Sequence, residues 1–457
     1  MSEPSAGGYA SRTGATWPLA DLEARLVRAL DLAMIVVQDF ADAGYTDDVV
    51  PQLSFGPDKV IAETTILAYA AAGATANPVV TQKVAALADV LAPLCRSRRT
   101  LVDLAQRPAR AFKYAVPHVL LNRLGRHNDD FDAFIARQCD MAQQMADDLP
   151  PCARLERHWI GQMWREDAAR PSMPHLQGTV AEQPFDVLGA SREDTYALTH
   201  ILFYLSDFGR QPVPGLPRGR RAVLADVQAC LARYLDAEDY DLCGELLMAW
   251  PQLRAPWDPV AAFCFRVLAG VEDFVGVLPC GNVDYTRSSS MAPAARQRYA
   301  RATAYHTAYV MGFLCAVALR HGAPPLHAQI SSPSPLVWPE LLDLVNPGRG
   351  HWLPIFQELP VGEKPALTEL VADTALVQAV AQRDYPRVGK ALALADQGGV
   401  WGPLQSATAG RLVSLGVASG LSAPSSRSAA QDTVPRPRGE PAEIRSPTRV
   451  RPGIRSQ

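Results

Sequence analysis

Apolar residues recur every three to four positions in one segment of this chain after another, and almost nowhere at every second position. That spacing gathers side chains on one face of a helix and scatters them across both faces of a strand. Leu19–Ala43 shows it most clearly: Leu22, Leu26, Ala29, Leu30, Met34 and Val37 fall on one stripe. The same period runs through Val60–Ala72, Pro78–Leu94, Arg110–Leu124, Phe131–Ala146 and Arg154–Asp167. It resumes in Ser191–Phe208, Ala222–Tyr234, Tyr240–Trp250, Val260–Phe274, Pro293–His321 and Ala366–Ala395. Clusters of Gly, Pro, Asn and Asp punctuate these segments. The expected fold is all-α. Since the helices show no fixed repeat length, they are expected to form a helical array, either α/α toroid-like or a two-lobed helical bundle.

An aperiodic stretch with three prolines, residues 169–190, suggests the division of the chain. It predicts an N-terminal helical lobe over 15–170, a linker over 171–190 and a C-terminal helical lobe over 191–400. Residues 1–14 are small and polar and read as a disordered arm. Residues 423–457 are rich in Ser, Pro and Arg, nearly devoid of large apolar side chains, and read as a disordered basic tail.

Composition narrows the function classes. Of 457 residues, 48% are hydrophobic and 20% charged, with a net charge of −3, which excludes a wholly disordered chain and one that holds polyanions by bulk charge. Only five of the 44 basic residues are lysines, the mark of a GC-rich coding sequence and so of a high-GC bacterium. The cluster Arg96, Arg98, Arg99, Arg107, Arg110 and Lys113 therefore reads as a solvated face rather than a phosphate cradle, and nucleic acid is not an expected partner. The eight cysteines form no CxxC pair and lie at least 13 positions apart, which points to core thiols rather than disulfides or a zinc finger. The N-terminus has no charged and apolar leader pattern, and the apolar run Ala308–Leu319 is shorter than a bilayer span. A cytoplasmic location without membrane association is expected. No P-loop, dinucleotide fingerprint, HExxH, helical ExxH or GxSxG motif occurs. Asp129, Asp130 and Asp132 open a helix, where acidic side chains favour the positive end of the dipole.

Three helices carry polar groups in otherwise apolar stretches. In Tyr196–Gly209, Tyr196, His200, Tyr204 and Asp207 fall at i, i+4, i+8 and i+11 on one continuous stripe. In Asp239–Trp250, Asp241 and Glu245 share a face, and Gly244 inside the helix marks a close approach of another element. In Tyr299–His321, Tyr305, His306 and Tyr309 precede a long apolar run, and Gly312 again permits close packing. Buried polar groups of this kind require partners or a solvated cavity, since leaving one unsatisfied costs about 1–3 kcal/mol. Two readings follow. Either the stripes are closed core networks, or they line one cavity in which these groups converge.

The strings LTHILFYLSDFG (198–209), RYLDAEDYDLCGELLMAWP (233–251) and YHTAYVMG (305–312) resemble an uncharacterised, mostly actinobacterial all-α family, over roughly residues 190–320. The resemblance carries no activity with it. With the GC-rich composition, it suggests a place in bacterial specialised metabolism. The leading expectation is a cavity that binds or processes a small molecule or peptide. His200, Asp207, Glu245 and His306 are the candidate catalytic residues: His200 as base or ligand, Glu245 as acid or ligand, Asp207 as an orienting carboxylate. Tyr196, Tyr204, Asp241, Tyr305 and Tyr309 are the candidate substrate contacts. No cofactor is expected, although two histidines with carboxylates leave a metal open. The competing expectation is a non-catalytic helical scaffold that binds a protein partner.

Overall fold

The periodic segments become helices close to where their spacing places them. The computed structural model describes residues 15–43, 57–107, 111–144, 149–165, 176–281, 283–327, 336–346 and 350–418, with no strand among them. The expected arm (1–14) and tail (423–457) lie outside the described residues. The helices are α1 (Leu19–Ala43), α2 (Pro57–Ala71), α3 (Pro78–Cys95), α4 (Arg98–Gln106), α5 (Ala111–Arg123), α6 (Asp129–Gln144) and α7 (Pro151–Arg165). They continue as α8 (Arg192–Ser206), α9 (Arg220–Asp236), α10 (Tyr240–Leu247), α11 (Ala249–Gln252), α12 (Pro259–Val275), α13 (Tyr285–Ser290) and α14 (Pro293–His321). The last are α15 (Trp338–Leu342), α16 (Trp352–Glu358), α17 (Thr368–Ala381), α18 (Tyr385–Gln397) and α19 (Pro403–Ala418).

Local chemistry fixes many of the helix starts. The Asn77 side chain accepts from the Val79 amide, with Pro78 at the first helical position of α3. Ser191 and Asp194 form a reciprocal capping box at α8. Asp258 caps α12 by accepting from the Ala261 amide at 2.8 Å. Not every proline falls between helices: Pro93 lies inside α3 and Pro117 inside α5. Each deprives the carbonyl four residues earlier of a helical partner.

Helices before and after residues 171–190 pack on one another. The described residues up to Arg411 group into one compact unit. The most extensive helix pairing joins α1 to α14, so the apolar stripe of α1 is covered by a helix nearly three hundred residues downstream. Leu22 and Leu26 on α1 are fully buried. α2 packs on α3, α5 and α14, and α10 packs on α9 and α14. Within 176–190, Leu176, Phe185 and Val187 are buried, so this stretch packs rather than spans open solvent.

Gly244 in α10 and Gly312 in α14 stand where helices meet. A Cβ on Gly244 would run into Val310 Cγ1 on α14. A Cβ on Gly312 would lie 2.7 Å from Ala29 Cβ on α1. A buried cation ties α1 to α12: Arg25, 1% exposed, reaches Asp21 at 2.7 Å, Glu272 at 2.5 Å and Asp273 at 2.8 Å. By length and composition α3 and α14 would suffice to cross a bilayer, but 78% of the apolar window in α14 is buried inside the protein. The eight cysteines are free, and six are buried.

Candidate functional site

A cavity of about 560 Å³ opens among α2, α5, α7, α8, α10 and α14. One wall is apolar, with Ile66, Val116, Pro117, Phe203, Phe208 and Phe313. The polar groups are His200, Glu245, His306, Glu63, Glu156 and Tyr204, with Asp58, Lys59 and Lys113 also on the lining. The three residues singled out on three different helices, His200, Glu245 and His306, thus meet in one space.

His200 is placed by its own helix. Its Nδ1 lies 2.8 Å from the Tyr196 carbonyl, an acceptor only, so Nδ1 carries the hydrogen and Nε2 carries the lone pair of the neutral ring. Burial lowers its pKa, which favours that neutral form. Thr199, next to it, donates to Glu245 Oε2 at 2.6 Å. Glu245 is 3% exposed, and burial together with the Asp241 charge raises its pKa against the pull of His306 and Thr199.

His306 sits between carboxylates. Its Nδ1 is 3.1 Å from Glu63 Oε2, and its Nε2 is 3.4 Å from Asp241 Oδ1 and 3.8 Å from Glu245 Oε1. Burial alone would lower its pKa, but Glu63 and Asp241 prevail and hold it at about 9. Burial likewise works to raise Glu63, while His306, Lys59 and Tyr305 bring it below the usual carboxylate range. Asp241 Oδ2 accepts from the Tyr196 hydroxyl and from Arg192 at 3.2 Å. Asp241 Oδ1 is buried and makes no hydrogen bond among the described residues. Facing atoms of Asp241, Glu245 and His306 all lie within 4.8 Å of one another.

The remaining candidates divide. Tyr204 lines the cavity; its ring stacks on Trp159 at 5.4 Å, and burial and the neighbouring Glu156 push its phenol well up. Tyr196 donates to Asp241 beside the cluster, and neither of the two lines the cavity. Tyr305 lies against Glu63 and Tyr309 bonds Thr64 at 3.0 Å, and neither lines the cavity. Asp207 does not join the site. α8 ends at Ser206, and Asp207 turns into the left-handed region at φ 49°, which breaks the stripe one residue before it. Its two oxygens accept from Tyr69 at 2.8 Å and Trp159 at 2.9 Å, so it holds three elements together rather than orienting His200.

Sequence reasoning missed Glu63 and Glu156. Lys59 and Glu63 stand at i, i+4, the spacing of an ordinary surface ion pair, and are 3.4 Å apart in the structure. The acidic helix start at 129–132 is structural: Asn128 caps Phe131, and Asp132 meets the buried His118 at 2.6 Å.

Fold and site together define an all-α protein whose cavity has an apolar wall and a carboxylate–imidazole floor. The chain belongs to the family of domains of unknown function DUF6895, whose model matches residues 23–316 and so covers every residue that lines the cavity. Neither the curated proteins nor the solved structures give a match.

Proposed function

We propose that this protein binds a small molecule or short peptide in the cavity and acts on it there. One observation carries the reading. His200, Glu245 and His306 come from three different helices, and each, although one of its polar atoms has a core partner, also lines the same space. Asp207 and Tyr309 show what closed core networks look like here, with their polar atoms taken up by neighbours. The cavity volume falls within the range of small-ligand sites, about 300–1,000 Å³, and its mix of an apolar wall with a few convergent polar groups is the usual composition of such sites. A ligand with an apolar body and a polar end is the best fit. His200 Nε2 supplies an acceptor at that end, and Tyr204 and the floor carboxylates supply further contacts. We place the protein in the cytoplasm of a high-GC bacterium, in specialised metabolism, on composition and on the actinobacterial resemblance.

Ligand-observed NMR with a fragment library tests this. Fragments that pair an aromatic ring with a polar head should bind the wild type and lose binding in Ala62→Trp, which fills the cavity from α2, with circular dichroism confirming that the variant is folded. A library with no binder that responds to Ala62→Trp refutes the reading and leaves the scaffold.

A further inference from the structure

We infer that Asp241, Glu245 and His306 form a binding site for a divalent first-row metal ion at the edge of the cavity, which Glu245 and His306 line, with Glu63 positioning the histidine. The inference rests on the cavity reading only in that the cavity gives the ion and its outer ligands access.

The argument is the way each side chain is held. Each of the three has one polar atom fixed by a neighbour and the other turned toward a shared point. Asp241 Oδ2 is held by Tyr196 and Arg192, and Oδ1 faces inward. Glu245 Oε2 is held by Thr199, and Oε1 faces inward. His306 Nδ1 is held by Glu63, and Nε2 faces inward. A carboxylate can only accept, so Glu63 fixes a hydrogen on Nδ1; Nε2, which faces Asp241, is the nitrogen left to bind a metal, and binding there displaces the proton it carries in the imidazolium. This carboxylate–histidine arrangement is the one that orients imidazoles on metal ions.

The spacing fits. A metal held at about 2.0–2.2 Å from N and O donors needs neighbouring donors about 3.0–3.6 Å apart. His306 Nε2 stands 3.4 Å from Asp241 Oδ1 and 3.8 Å from Glu245 Oε1, and the three atoms lie within 4.8 Å of one another. An independent sign is Asp241 itself. It is 8% exposed, and its inward oxygen is buried without a hydrogen-bond partner among the described residues. His306 Nε2 faces it at 3.4 Å without completing a hydrogen bond, so this oxygen keeps acceptor capacity that a bound cation would fill. The donor set is one nitrogen and two carboxylates without thiolate, which suits zinc, manganese or iron(II) rather than a soft ion. Three protein donors leave coordination positions open toward the cavity, as in catalytic rather than structural sites.

The test uses the full chain, stripped with chelator and then dialysed against Zn²⁺, Mn²⁺ or Co²⁺ separately. Bound metal is counted by elemental analysis, and Co²⁺ absorption reports the donor type. The wild type is expected to hold about one equivalent of at least one ion, with a Co²⁺ spectrum free of thiolate charge transfer. His306→Ala and Glu245→Gln should abolish this binding, and Glu63→Gln should weaken it about 10- to 100-fold as an outer partner does. Asp207→Asn, away from the site, should leave it unchanged. Wild-type protein that holds well under half an equivalent of every ion overturns the inference without reference to any variant. So does binding that survives both His306→Ala and Glu245→Gln. The fragment experiment on metal-free protein separates the two readings. Fragments that bind with no metal uptake sink the metal site alone, and metal uptake without cavity-dependent fragments sinks the cavity reading alone.

Discussion

Replacing Gly312 by alanine should destabilise the protein, against the usual benefit of alanine over glycine in a helix. The added methyl would stand 2.7 Å from Ala29 Cβ and 3.0 Å from Leu67 Cδ1. Carbon atoms pack at about 3.5–4.0 Å, so α1 and α14 would have to part by about 1 Å. Leu67 can turn its methyl aside, but Ala29 has no torsion to use, and the strain passes to the backbones at the most extensive helix pairing in the fold. Overpacking of this kind costs about 1–3 kcal/mol, and the rigid contact argues for the upper end. The helix-propensity gain returns about 1 kcal/mol. A net loss of about 2 kcal/mol follows. Urea unfolding followed by far-UV circular dichroism measures it. Ala29→Gly removes the methyl that is struck, so the double variant should be more stable than the sum of the single effects by about 2 kcal/mol. A Gly312→Ala protein as stable as the wild type, or strictly additive single effects, would refute the claim that Gly312 exists to let α1 approach.

Three further outcomes are expected. Asp207→Ala strands the Tyr69 hydroxyl and the Trp159 N–H and puts alanine at a positive φ, a loss of about 3 kcal/mol in thermal or urea unfolding; Asp207→Asn should recover most of it, since the Tyr69 hydroxyl can reverse to accept, and fragment binding in the cavity should not change. Arg25→Met leaves the buried Glu272 with Arg28 as its remaining cation and should cost about 3 kcal/mol, of which Glu272→Leu in the same chain should restore a large part; an unchanged melting curve for Arg25→Met would show that the cluster contributes nothing. Burial, with Glu369 nearby, raises Asp258 to about 6 despite hydrogen bonds from Ala261 and Trp250. The folded state therefore keeps this proton to higher pH than the unfolded chain does, and stability from this group is complete below about pH 4 and lost as pH rises through 6, up to about 3 kcal/mol. Asp258→Asn keeps the cap without the charge and should remove that slope from the stability–pH curve, and parallel curves for the two proteins would count against it.

The amino-acid order by itself determined the helices. Periodic spacing and cap residues act within one or two turns, so Leu19–Ala43 and Pro293–His321 were legible end to end, and Ser191 with Asp194 announced the start of α8. The stretch Ala366–Ala395 resolves into α17 and α18, separated by a turn at 382–384 in which Arg383 has a positive φ. Gly244 and Gly312 also signalled close packing, because glycine in a helix is unfavourable unless its missing side chain is needed. What only the tertiary structure decided was which polar groups meet. The i, i+4 rule placed Tyr196, His200 and Tyr204 on one face, but it assumes an unbroken helix, and the left-handed turn at Asp207 removed the fourth member. Lys59 and Glu63 have the spacing of a surface ion pair, and nothing local distinguishes them from one. Glu63 reaches His306 only because α2 lies against α14. Convergence of side chains separated by more than two hundred residues depends on helix–helix contacts, and those are set by the matching of whole faces rather than by any short stretch of sequence.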